Sequence, residues 1–362
     1  MKTYGVIMAG GGGTRFWPLS RKERPKQLLN LSGKDIMVNE TIDRIASSVG
    51  KENIFIVTNE TQAKLMKTET AGRMAPERIL AEPAARNTAA CIGYAAMEIV
   101  KKYEDGIMCI LPSDQFVKDT EEFTRVMDAA ITAAEETDML VTIGIEPTFP
   151  ATGYGYICTE SGDGVMVGES GKQYRKVKEF VEKPDEETAK DYLASGNYAW
   201  NSGMFIWKAS TILKKFEELL PDIYECLTRI GEAMGTPQEA DVIQKIYPEI
   251  PKISIDYGIM ERSRDVIMIA GDFGWNDIGS LDMLSIMKPA DENGNVVYGE
   301  QVNIDTMNCI LYGTDKMIAT IGIRDVIVVQ EKDAILICDK NRAQDVKKIV
   351  DMLAEKGLES FL

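Results

Sequence analysis

The chain has 362 residues, 44% of them hydrophobic, with 41 Lys and Arg against 57 Asp and Glu, a net charge of −16 and no histidine. That length and composition fit one large α/β domain plus a smaller one, and no apolar run approaches the ~18 residues of a membrane span. The acidic balance opposes nucleic acid or an anionic membrane as partner, and the missing histidine excludes Ser-His-Asp and Cys-His catalysis and histidine-ligated zinc.

The apolar run after Met1 is too short for a signal peptide and leads straight into a glycine loop, so a soluble cytoplasmic protein is expected. Strands are predicted at Tyr4 to Met8, Ile54 to Thr58, Ile79 to Ala81, Ile107 to Leu111 and Leu140 to Ile145, with amphipathic segments between them. Phe123, Val126, Met127, Ala130 and Ala134 fall on one helical face. This alternation is the βαβ pattern of a mostly parallel mixed sheet flanked by helices, a Rossmann-like α/β fold. From Thr148 to Phe205, glycines and aromatics interrupt short strands, and an antiparallel excursion over the sheet's ligand edge is expected. Helices follow from Ala209 to about Tyr247. Past Pro289 short β-like runs reach Cys338, and a last helix carries Val346, Ile349, Val350 and Leu353 on one stripe. The predicted division is residues 1–288 and 289–362, the smaller part β-rich and ending in a helix; the stripe is expected to pack on its own domain or on a partner subunit, and a homodimer or larger assembly is expected. Asp291, Asn293 and Asn295 loosely resemble a calcium loop, but Val296 stands where glycine is required, so an Asn-Gly turn is expected. The six cysteines form no C-x-x-C pair and read as reduced core residues.

The strongest local signal is AGGGGTRFWPLSRKERPKQ, residues 9–27. Ala9, Gly10, Gly11, Gly12, Gly13 and Thr14 follow a buried strand, where bare backbone N–H groups can approach a phosphate or a base edge. No P-loop lysine pattern is present, and Arg15 and Phe16 stand where a dinucleotide fingerprint needs its third glycine, which argues against a nicotinamide dehydrogenase. Arg15, Arg21, Lys22, Arg24 and Lys26 form the local basic cluster that a polyphosphate needs on so acidic a chain. Asp114, after Ser113 in ILPSDQF, and Asp277, in DFGWNDIGS, are carboxylates suited to one hard cation shared with phosphates. Glu82 ends a strand near the glycine loop, and an ionised carboxylate there can accept two adjacent N–H donors of a base edge together. Further polar groups cluster beside glycine or aromatics in EPAARNT, TGYGY, FVEKP and WNSG.

In that order along the chain, GGGGTRFWPLSR, PKQ, EPAARNT, PSDQF, PTFPATGYGYI, FVEKP, WNSGMF, SIDYGIME and WNDIGS resemble the GDP-mannose pyrophosphorylase family of nucleotide-diphosphosugar transferases. The likeness spans essentially the whole chain. It implies a nucleotide-diphosphosugar transferase fold followed by a small domain of left-handed β-helix character. It implies the conversion of GTP and mannose 1-phosphate to GDP-mannose and pyrophosphate with Mg²⁺. Carried over residue by residue, it puts Arg15 and Lys26 on the triphosphate, Asp114 and Asp277 on the metal, and Asn87 and Thr88 with Glu82 and Ser113 on the nucleotide side. Gly153, Tyr154, Gly155, Glu182, Asn201, Ser202 and Gly203 would line the sugar, and Lys183 would meet its phosphate. Two departures stand out: Gln115 follows the PSD aspartate where the family has histidine, and GGGG replaces the usual GGSG. The chain ends at Leu362 without the histidines of a cupin metal site, so no phosphomannose isomerase activity is expected. Another sugar 1-phosphate or nucleotide remains an alternative, as does an inactive nucleotide-sugar-binding regulator.

The chemistry suits these groups. The nucleophile, a sugar-phosphate oxygen, is already ionised near neutral pH, so no general base is needed. The obstacle is bringing two anions together, which positioning and cationic groups overcome.

Overall fold

The computed structural model describes all 362 residues, which form two compact units. The first comprises residues 1–10, 41–113 and 117–275; the second comprises 11–40, 114–116 and 276–362. In chain order the strands of the first unit and its borders are β1 (Lys2–Met8), β2 (Ile54–Asn59), β3 (Ile79–Glu82), β4 (Gly106–Pro112), β5 (Phe116–Val117), β6 (Leu140–Ile145), β7 (Tyr156–Thr159), β8 (Val165–Met166), β9 (Gln173–Val181), β10 (Tyr198–Lys208), β11 (Val266–Gly271) and β12 (Trp275–Asn276). Helices α1 (Met37–Val49), α2 (Glu60–Glu69), α3 (Asn87–Lys102), α4 (Thr120–Thr137), α5 (Glu186–Ser195), α6 (Ala209–Leu219), α7 (Pro221–Ala233) and α8 (Glu239–Ile246) alternate with them.

Ten strands make one sheet in the order β3-β2-β1-β4-β10-β6-β11-β9-β7, with β8 paired to β9. The β3-β2-β1-β4 side is parallel, as βαβ crossovers require, and β6 pairs β11 in parallel. Strand β10 differs from the expected excursion over the sheet's edge: it runs antiparallel to both β4 and β6 in the middle of the sheet. The reason is burial on both faces, since Trp200, Met204, Phe205, Ile206 and Trp207 are all buried. Local signals set the helix ends. Asp119 accepts from the N–H groups of Glu121 and Glu122 at the start of α4, and Asp185 from that of Thr188 at the start of α5. The predicted apolar face of α4 is fully buried.

In the second unit, β13 (Val296–Tyr298), β15 (Ile310–Gly313) and β17 (Val326–Gln330) stack in parallel, β18 (Ile335–Asp339) closes antiparallel on β17, and β14 (Gln301–Ile304) pairs β16 (Ile318–Ile321) in parallel. Successive parallel rungs from consecutive segments are the mark of a β-helix. Inside it, Asn295 donates to the Thr306 carbonyl at 2.9 Å and accepts from the Cys309 N–H at 3.0 Å. The Asp291 carboxylate caps the turn by accepting from the N–H groups of Asn293 and Asn295, with Gly294 at φ +77°, so this is a turn and not an ion loop. After the short helix α9 (Leu284–Met287), the terminal α10 (Val346–Glu355) lays Val346, Val350 and Leu353 on the unit's own core with Phe16, Trp17 and Ile327, whereas Ile349 stays exposed. All six cysteines are free, and no helix is long and apolar enough to cross a membrane.

Candidate active site

Strands β1 and β4 end in register, Met8 opposite Pro112, and the Ser113 N–H then donates to the Met8 carbonyl at 3.1 Å. Ala9 is held by its own N–H on the Val57 carbonyl and by the Thr58 hydroxyl on its carbonyl, both at 2.9 Å or less. The chain thus leaves the ligand edge of the sheet with Gly10, Gly11 and Gly12 exposed. Gly13 sits at φ +61°, and its carbonyl accepts from the Phe16 N–H and the Ser20 hydroxyl, which closes the turn that carries Thr14 and Arg15.

The second unit gathers all four residues expected to do the phosphate and metal chemistry. Lys26 is 4% exposed; its ammonium lies 3.0 Å from Asp114 Oδ2 and donates to the Asp277 carbonyl at 2.8 Å. Around Gly279, a Cβ would stand 3.6 Å from both Arg15 Nη1 and Asp277 Oδ2, so that guanidinium and that carboxylate face the same point. Gln344 orients Arg15 by accepting from Nη1 at 2.9 Å, while its own amide donates to the Ser280 hydroxyl at 2.8 Å. Two other members of the predicted basic cluster do not join. Arg21 pairs with Asp333 at 2.7 Å and donates to the Phe361 carbonyl, and Lys22 pairs with Glu359 at 2.7 Å. They hold the C-terminus, which no local pattern announces.

In the first unit, Glu82 ends β3 buried, its Oε1 accepting from the Tyr247 hydroxyl. Its Oε2 lies 3.5 Å from where a Cβ on Gly10 would stand. Burial raises the Glu82 carboxyl above its ordinary value, and the Tyr247 hydrogen bond opposes that rise. At the start of α3, Asn87 takes φ +68° and its side chain accepts from the Thr88 N–H; the Thr88 hydroxyl accepts from the Ile255 N–H at 2.9 Å.

A second cluster lies along β7, β9 and β10. The Gly155 carbonyl accepts from the Asn201 N–H at 2.8 Å, and a Cβ on Gly155 would fall 2.5 Å from Glu182 Oε2, so only glycine leaves that carboxylate its place. Lys183, at φ +48°, pairs with Glu182 at 2.5 Å. Asn201 Oδ1 accepts from the Gly203 N–H and the Thr142 hydroxyl, and its Nδ2 donates to Asp256 Oδ1 at 3.0 Å. Ser202 is turned inward: its hydroxyl donates to the Ile143 carbonyl and accepts from the Met204 N–H. Tyr154 packs edge-on against Trp200 and Trp275, and Gly153 has open space around it. Asp256 is a residue that reasoning from the sequence passes over. Its carboxyl is pushed up to about 6, first by burial and then by the nearby Glu182 charge. A carboxylate inside the apolar run SIDYGIM was the available signal.

A bare run of glycines followed by arginine and lysine, with two aspartates gathered around that lysine, is the equipment of a nucleotidyl transferase, and the chain matches that family over residues 4–294. Residues 299–353 match the MannoseP isomerase/GMP-like beta-helix domain. Along 97% of its length the chain is 37% identical to the alginate biosynthesis protein AlgA of Pseudomonas aeruginosa, covering 72% of that protein. It is likewise 37% identical to a mannose-1-phosphate guanylyltransferase of Klebsiella pneumoniae, over 98% of this chain and 75% of that one. A crystal structure described as a mannose-1-phosphate geranyltransferase from Thermus thermophilus superposes with a TM-score of 0.87 at 32% identity, over 98% of this chain and 100% of the other. The chain belongs to the mannose-1-phosphate guanylyltransferase family of nucleotidyl transferases.

Proposed function

We propose that this enzyme makes GDP-mannose and pyrophosphate from GTP and mannose 1-phosphate. The observation that carries the reading is the convergence of Arg15, Lys26, Asp114 and Asp277, whose chemistry is that of a triphosphate and a cation. The sugar-phosphate oxygen attacks the α-phosphorus in line; one P–O bond forms, and the bond from the α-phosphorus to the bridging oxygen breaks, with the electron pair leaving on pyrophosphate. Lys26 and Arg15 stabilise the negative charge that gathers on the leaving group. Asp114 and Asp277 supply hard oxygen donors, and the ammonium already seated on Asp114 marks a place that favours a cation. These residues fit Mg²⁺, which would neutralise phosphate charge there. Glu82 takes the guanine edge, with Ala9 to Thr14, Asn87, Thr88 and Ser113 on the nucleotide side. Glu182, Lys183, Asn201 and Gly153 to Gly155 hold the sugar phosphate. Ser202 and Gly203 serve it from behind by shaping the strand.

The reading keeps residues 1–288 as the catalytic domain and 289–362 as the small domain, in a cytoplasmic homodimer. Purified protein given every pairing of four nucleoside triphosphates with several hexose 1-phosphates, with pyrophosphate release followed, tests it. GTP with mannose 1-phosphate is expected to exceed every other pair, and a different best pair overturns the assignment. Sedimentation at micromolar concentration checks the dimer.

A further inference from the structure

The Asn201 amide is engaged at every position but one. Its Oδ1 accepts twice, from the Gly203 N–H at 3.1 Å and the Thr142 hydroxyl at 3.4 Å, and so has no lone pair to spare. Of its two Nδ2 hydrogens, one goes to Asp256 Oδ1 at 3.0 Å. What remains is a single N–H, which can recognise only an acceptor oxygen, such as a hydroxyl presented lone pair first. The direction of that N–H depends on the amide plane, and Asp256 fixes the plane from the Nδ2 side.

Asp256 is itself held from two directions. The residue before it, Ile255, donates its N–H to the Thr88 hydroxyl at 2.9 Å, and the Ile253 carbonyl accepts from the Ala89 N–H at 3.3 Å. Asp256 opens a π-helical turn that runs to Met260, and in its third position, Gly258, a Cβ would meet Leu220 Cδ1 at 2.8 Å, so the turn is tightly seated. One short segment therefore ties the start of α3, on the nucleotide side, to Asn201 on the sugar side. Glu182 and Lys183 are the charged groups that face the carboxyl, and neither hydrogen-bonds it.

We infer that Asp256 is a positioning residue for sugar recognition: through Nδ2 of Asn201 it aims one N–H at an acceptor hydroxyl and sets that donor in register with the nucleotide-side helix α3. The inference rests on the reading of Glu182, Lys183 and Asn201 as the sugar-phosphate subsite. It does not require Asp256 to touch the substrate.

The test measures pyrophosphate release by the full chain, with KM for mannose 1-phosphate and KM for GTP each taken at saturation of the other. Asp256→Leu removes the acceptor. Its KM for mannose 1-phosphate is expected to rise at least tenfold while KM for GTP stays within twofold, and its preference for mannose 1-phosphate over glucose 1-phosphate should narrow. Asp256→Asn keeps an acceptor oxygen for Nδ2 and should return the sugar KM to within threefold of the native value. Asp256→Ala carries the expectation of the leucine variant should that one fail to fold. An unchanged sugar KM in the variants without an acceptor overturns the inference. So does a parallel rise in both KM values, which marks a merely structural residue, or an asparagine variant as impaired as leucine. Asn201→Ala separates the two levels. If it leaves the sugar KM unchanged, the subsite reading itself fails; if it raises that KM while Asp256→Leu does not, only the positioning role falls.

Discussion

Replacing Gly13 by alanine tests how the glycine loop and Lys26 depend on each other. At φ +61° an alanine costs about 1–2 kcal/mol for the left-handed backbone alone. Its Cβ would also overlap the Lys26 Cβ and lie 2.9 Å from the Lys26 backbone nitrogen. The second overlap is with main chain, so no rotamer change relieves it, and forcing the segment apart adds roughly 1–3 kcal/mol. The total, about 2–5 kcal/mol, is a large share of the ~5–15 kcal/mol that typically holds a native protein together. At about 1.3 °C per kcal/mol for a chain of 362 residues, the melting temperature should fall by roughly 3–7 °C. Turnover should fall further than stability, because displacing the Lys26 ammonium by about 1 Å costs on the order of 100-fold. The neighbouring glycines supply the contrast. Gly11 has nothing within 4 Å, Gly12 meets only Thr14 Cγ2 at 3.9 Å, and neither has a positive φ. Gly11→Ala and Gly12→Ala should melt like the native protein yet raise KM for GTP, since a methyl group would stand where phosphate must approach backbone N–H. Circular-dichroism melts and pyrophosphate release read both effects. A Gly13→Ala protein with native melting and turnover would refute the steric argument, and unchanged KM in the other two would remove the triphosphate from this loop.

Asp114→Asn and Asp277→Asn should each cut turnover steeply with little loss of stability, and the double variant should be barely worse than either, because the two act as a unit; near-normal rates in both single variants would remove them from the metal site. Glu82→Gln should erase the preference for GTP over other triphosphates, and Tyr247→Phe, which frees Oε1, should weaken it; native selectivity in the glutamine variant would show that guanine is read elsewhere. Asp256 makes a prediction in pH. Its carboxyl rises from 3.8 to about 6 on folding, so its contribution to stability is full below pH 3.8 and is lost as pH rises through about 6. The swing is about 3 kcal/mol at ~1.4 kcal/mol per unit. Asp256→Asn should therefore gain on the native protein between pH 4 and 7 in parallel thermal melts, and a constant difference across that range would contradict the burial cost.

What the sequence alone determined is what neighbouring residues decide: strands β1, β2, β3, β4 and β6, whose apolar runs match the observed spans to within a residue or two, the α4 face and the glycine loop at a strand's end. Lys26 and the three residues that gather with it were nameable from their residue types beside that loop and from a resemblance spread along the chain. Which of them touch, and through which atoms, was the work of the tertiary structure, because the partners lie far apart in sequence. Lys26 reaches Asp277 across 251 positions, and Tyr247 reaches Glu82 across 165. For the same reason the basic cluster looked uniform in sequence, whereas Arg21 and Lys22 turn to Phe361 and Glu359. Strand β10 shows the limit most directly. Its glycine and aromatics fit an edge hairpin as well as a central strand, and only the flanks offered by β4 and β6 put it in the middle of the sheet, where Asn201 reaches Asp256. Burial and long-range hydrogen bonds depend on what arrives from elsewhere in the chain, and a local pattern carries no information about the arrival.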